Sequence, residues 1–282
     1  MTATATAPAA HIAARTTRLT FLHVLQSEWI KLFSVRSTPW VLGLSVMLML
    51  GLSLLMGWGL TLDTDAVDAS AESPGGEPLD PSSLGLMVAT FSYTIGQIVF
   101  AVLGVMRITG EYSTGQIRST LTACPTRLPV LVAKAIVVAV ASFITGAITV
   151  ALIILATTPM LEPHQMAIDL TDAETQQALL GVPLYLTAIA LFALGIGGML
   201  RHTAGAIATV LGVLMVLPII GQINLEFVQD AALYLPSTAG QLLITGASPD
   251  GPLSPWQGYG VMMAWVVAAL AGAAVLLRRR DA

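Results

Sequence analysis

Between Gly181 and Gly221 the chain reads GVPLYLTAIALFALGIGGML-RH-TAGAIATVLGVLMVLPIIG, two apolar runs divided only by Arg201 and His202. About 20 helical residues cross a bilayer core, and roughly 40 are too many for a single crossing even when tilted. The stretch therefore predicts a tight helical hairpin of two spans, 181–200 and 203–221. The same ruler carried outwards finds four more apolar runs, near 40–60, 84–106, 130–157 and 259–277. The fold class expected is an all-α integral membrane protein with six transmembrane helices.

Composition agrees. Of 282 residues, 55% are apolar and 10% charged, against about a quarter charged in soluble domains. A surface so poor in charge belongs against lipid, and so apolar a chain is not a disordered one. One cysteine excludes an internal disulfide framework. A formal charge of −4 supplies no excess of cations to displace counterions from phosphates, so nucleic acid is not an expected partner.

Charge also orients the spans. Arg15, Arg18, Lys31 and Arg36 precede the first. Arg107, Arg118, Arg127 and Lys134 fall between the second and third or just inside the third. Arg201 sits in the four–five turn, and Arg278, Arg279 and Arg280 follow the sixth. All 12 basic residues thus share one side. The opposite loops hold acids alone, among them Asp63, Glu72, Glu162, Asp172, Glu226 and Asp250. Both termini are expected in the cytoplasm. Ala69-Ser70-Ala71 resembles a signal-peptidase site. The segment before span one is too long, and its apolar run exceeds the 7–15 residues of a signal sequence, so span one reads as a retained anchor.

Outside the bilayer, residues 1–18 are rich in Ala and Thr and read as a disordered cytoplasmic tail. The single membrane domain then covers 19–282. At 19–34, Leu22, Leu25, Trp29, Leu32 and Phe33 recur at helical spacing among His23, Gln26, Ser27, Glu28 and Lys31. This pattern predicts an amphipathic helix in the membrane interface, with Pro39 starting span one. A short helix is expected around 172–180. The last outer loop, 222–258, is too apolar to hang in water and predicts one or two short helices packed on the spans.

Sites for catalysis are missing. There is no His-Glu-x-x-His, phosphate-binding loop or Gly-x-Ser-x-Gly. The four histidines lack ligand spacing, and Cys124 is a lone thiol. The chain is not expected to be an enzyme or to hold a cofactor, and energy for any transport must come from a partner. Span two carries a polar stripe that includes Tyr93, Thr94 and Gln97. Tyr93 and Gln97 share a helix face; the stripe either lines a translocation path or hydrogen-bonds neighbouring helices.

The segment between spans two and three, Arg107 to Arg127, carries Glu111 near the start of a helical stretch, where a carboxylate suits the positive helix end. A short helix lying flat under the membrane would offer a rigid knob to another protein; an ordinary solvated linker is the alternative. Gly110-Glu111-Tyr112-Ser113-Thr114-Gly115-Gln116-Ile117-Arg118-Ser119-Thr120-Leu121 resembles the Gly-Glu-Tyr-x-x-Gly-Thr-Ile-Arg-x-Thr-Leu segment of ABC-2-type permeases, the membrane subunits of one class of ATP-binding-cassette exporters. Ser27-Glu28-Trp29-Ile30-Lys31-Leu32-Phe33-Ser34-Val35-Arg36-Ser37 resembles the Glu-x-x-Lys-Leu-x-Ser-x-Arg-Ser stretch before their first span. Gln116 departs from the usual Thr.

The resemblance implies that Glu111, Tyr112, Thr114, Gly115, Gln116, Ile117 and Arg118 form a cytoplasmic coupling helix, with Glu28 and Lys31 nearby. It further implies a separate ATPase subunit that holds ATP and Mg, a second permease copy or relative completing the path, and residence in a bacterial plasma membrane. An anchor or sensor subunit that recruits a cytoplasmic partner without transporting uses the same features.

Overall fold

A computed structural model describes residues 20–35, 37–62, 81–116, 128–221, 223, 226–246 and 251–279. Regular structure among them is helical throughout: α1 (Phe21–Ser34), α2 (Ser37–Leu62), α3 (Pro81–Phe91), α4 (Tyr93–Ser113), α5 (Leu128–Leu161), α6 (Ala173–Leu200), α7 (Thr203–Ile220), α8 (Glu226–Leu233), α9 (Pro236–Thr245) and α10 (Pro255–Arg279). Six helices are long and apolar enough to cross a membrane, with α3 and α4 together making the second. The chain is a multi-pass membrane protein. The tail 1–18, Cys124, and Ile117 and Arg118 of the expected coupling helix lie outside the described residues.

Helix ends follow local chemistry. Arg201 adopts a left-handed conformation at φ 55° that closes α6. One residue on, His202 Nδ1 accepts the Gly205 amide at 3.0 Å and opens α7. The polar pair seen in the sequence therefore supplies the stop and the start of the hairpin. The short helix expected around 172–180 proves continuous with the fourth span: Asp172 accepts the Thr175 amide at 2.7 Å and caps α6, which runs unbroken through Pro183 to Leu200.

α6 is the post on which α4, α5, α7, α9 and α10 pack. Of its most apolar eighteen-residue stretch 67% is buried, against 17% for α7. Small residues bring the neighbours close. A Cβ at Gly104 of α4 would collide with the Ala190 carbonyl of α6, and one at Gly195 would lie 2.6 Å from the Ala269 backbone of α10. Glycine is needed at both points because backbone meets backbone there. After α7, α8 carries no buried residue among those described and α9 returns into the bundle. The Trp265 indole donates to the Tyr234 carbonyl at 2.9 Å, ten residues or about 15 Å along α10. From there α9 packs between α6 and α10, with Ser237, Ala239, Gly240 and Leu243 buried.

Candidate functional site

The site begins with a stripe on α1. Val24, Glu28 and Leu32, one per turn, are its buried residues, and each meets α5 in register. Val24 packs on Val130 and Ala133, and Leu32 packs on Val137 and Ala141. Between them Glu28 accepts from Lys134 Nζ at 2.5 Å. The face expected to be one apolar stripe is divided: Leu32 is buried in protein, whereas Leu22, Trp29 and Phe33 remain exposed. The helix packs on protein with one side and leaves an apolar side for lipid.

Lys134 also donates to Glu111 Oε1 at 2.8 Å. Lys31 reaches Glu28 Oε1 at 2.7 Å and Glu111 Oε1 at 3.4 Å. Two carboxylates and two ammoniums, contributed by α1, α4 and α5, thus neutralise one another. The Lys134 side chain is 3% exposed and that of Glu28 1%, so each charge depends on the others. Burial alone would raise the Glu28 carboxyl, but Lys134 and Lys31 outweigh it and hold the group below its ordinary value. Burial likewise lowers Lys31, and the two carboxylates reverse the direction and hold it above its usual range.

Glu111 is not at the start of a helix, as the sequence suggested, but in the last turn of α4. The dipole there opposes a carboxylate, and the lysines compensate. Tyr112 is partly buried under the Arg201 guanidinium, which stands 5.0 Å from its ring centroid and donates to the Leu276 carbonyl at 3.3 Å. The basic ends of spans two, four and six are tied through this contact. Thr114, Gly115 and Gln116 are exposed just past the helix, with Gly115 at φ 70° turning the chain. Ile117 and Arg118 lie outside the described residues. Of the expected contact set, then, Glu28, Lys31, Glu111 and Tyr112 build the block, and Thr114 to Gln116 are the part a partner can touch.

Deeper in the bundle, Tyr185 of α6 is fully buried and donates to Gln97 Oε1 of α4 at 2.7 Å. Gln241 of α9 donates to the Tyr185 hydroxyl at 3.3 Å. Tyr93 meets the Tyr185 ring edge-on, with centroids 5.7 Å apart. Thr94 is partly exposed and bonds back to the Phe91 carbonyl at 2.9 Å. Tyr93 and Gln97 thus come together around a tyrosine that the sequence did not single out, while Thr94 stands apart.

Lys134 and Arg107 entered the sequence reading only as topological charges. The available signal was Lys134 itself: a cation seven residues into an apolar helix requires a buried acid. Among the described residues, no three His, Cys, Asp or Glu side chains gather to hold a metal. No protein-family profile matches the chain, and no curated protein matches it.

Proposed function

We propose that this chain is the membrane-spanning permease subunit of an ATP-binding-cassette exporter in a bacterial plasma membrane, with both termini cytoplasmic. ATP and Mg reside on a separate ATPase subunit, and a second copy or relative completes the path. The observation that carries this reading is the ion cluster. The two stretches that resemble ABC-2 permeases, 27–37 and 110–121, stand far apart in sequence, yet Glu28 and Lys31 of one share Lys134 or a direct contact with Glu111 of the other. Residues wired in this way move as one block. A force applied at Thr114–Gln116 passes to α1 and span three through Glu111, and to spans four and six through Tyr112 and Arg201. Such a force does work only if the partner binds the two positions of the block with different affinity.

The test is purification of the full chain from its native membrane with whatever cytoplasmic partner it retains, followed by ATP hydrolysis in liposomes. Two ATPase copies per two permeases, with hydrolysis that rises on adding transported substrate, are the expected result. Failure of any ATP-binding protein to associate would refute the proposal. An ATPase that associates but never responds to substrate would favour the anchor or sensor alternative. Thr114→Arg is the informative variant, since it alters the exposed contact without touching the buried charges. It should abolish the response while leaving insertion unchanged.

A further inference from the structure

At the elbow between α1 and α2 a cavity of about 240 Å3 opens against α4, next to the ion cluster. Two atoms of its lining residues are left over. Arg107 Nε and Glu111 Oε2 are both buried, and neither has a hydrogen-bond partner among the described residues. The two residues are one helical turn apart and so share a face, yet no direct pair forms between them. Glu111 cannot turn its carboxylate away, because Oε1 is held by Lys134 and Lys31. Buried polar atoms in native proteins find partners in the great majority of cases. An occupant that satisfies both must offer an acceptor to the Arg107 N–H and a donor to Glu111. A water does so with two ordinary bonds, whereas an acidic group joined to an N–H cation makes both bonds between full charges and so the stronger ones. The other walls supply the hydroxyls of Ser37 and Thr38 at the start of α2 and the apolar side of Met106, which is 45% exposed along α4. The volume is smaller than the roughly 300–1,000 Å3 of drug-sized sites and suits a headgroup rather than a whole lipid.

We infer that this cavity binds the headgroup of a phosphoethanolamine lipid, its phosphate on Arg107 with Ser37 and Thr38 and its ammonium on Glu111 Oε2. The acyl chains follow Met106 along the outside of α4. A choline headgroup carries no N–H for Glu111, and a glycerol headgroup carries no cation, so the site discriminates by hydrogen bonding as much as by charge. The inference depends on the membrane-spanning fold and not on the transport reading.

The full chain, delipidated in detergent, is titrated by native mass spectrometry with phosphatidylethanolamine, phosphatidylcholine and phosphatidylglycerol of matched acyl chains. The first phosphatidylethanolamine should bind about tenfold more tightly than either other lipid. Arg107→Gln, which leaves the four-charge cluster intact, should remove that preference. Glu111→Gln should remove it too, and Arg278→Gln at the end of α10 should preserve it. Equal affinity for the three lipids, or a preference that survives Arg107→Gln, would overturn the inference. So would a preference for phosphatidylglycerol, which marks a simple anion site. Soluble phosphoethanolamine that displaces the lipid at equal concentration would overturn the lipid source.

Discussion

At the basic end of the bundle four charged side chains join α1, α4 and α5, whereas deeper in it Gln97, Tyr185 and Gln241 join α4, α6 and α9 through neutral groups. Glu111 and Gln97 lie on the same helix, fourteen residues or roughly 21 Å apart. Full charges are affordable only near the bundle end, where partners and water lie within reach. Further in, an ionised side chain would cost several kcal/mol, and the connection is made from amides and a phenol. The ionic cluster fastens a helix outside the spans and adjoins exposed residues. The neutral one fastens α9 to the post of the fold. Under the proposed function the first transmits a displacement, and the second holds α9 in place.

Removing the central cation should have the largest effect. Lys134→Met leaves Glu28 and Glu111 buried with Lys31 in contact and Arg107 near enough to attract both, and breaking a buried pair in this way costs about 3–5 kcal/mol. Loss of hydrogen-exchange protection across α1, with α6 and α9 unaffected, is the expected readout. Uniform loss over the whole bundle would show that the two clusters are not separate units. Acid should reproduce part of the effect. A carboxyl held below its ordinary 4.5 stabilises the fold above that value and ceases to do so as pH falls through the depressed one. Protection of α1 should therefore be level from neutral pH to about 5 and decline below 4.5, while α9, tied by groups that do not titrate in acid, keeps its own. Lys31, held above its ordinary 10.5, gives the opposite limb: its contribution is complete below that value and lost only as pH rises beyond the raised one.

Tyr185→Phe should act at the other cluster and more weakly. It leaves the Gln97 and Gln241 side chains without their shared partner at a cost of about 1 kcal/mol. Faster exchange confined to α9 and the middle of α4 would report it. Thr114→Arg should be the smallest of all in stability, within about 0.5 kcal/mol by thermal unfolding. A large destabilisation there would mean that the exposed turn belongs to the ionic block rather than to a partner's surface.

The number of spans was readable because each is a run of about twenty apolar residues, a length the bilayer imposes. The helix at 172–180 was expected, but its continuity with the fourth span was not, because Glu174, Gln176 and Gln177 give these turns the composition of a loop. The ionic cluster was half visible. Glu28, Lys31 and Glu111 were singled out by motif, but the Lys134 that unites them is 106 residues from Glu28, and no spacing rule pairs side chains at that range. Tyr185 had no signal at all. A tyrosine within an apolar run looks the same whether its hydroxyl meets a glutamine or a lipid headgroup, and its partners stand 88 residues before it and 56 after.

The central position of α6 carries a consequence for how the protein is made. Spans two and three leave the ribosome before the helix they pack against exists, and Leu200 follows Ser113 after roughly 90 further residues. At 5–20 residues per second that interval is about 5–20 s. During it Gly104 faces lipid instead of Ala190, and Gln97 has no Tyr185 to receive from. An insertase that shelters early spans until the fourth arrives would raise the yield of this protein more than that of a bundle whose post is synthesised first.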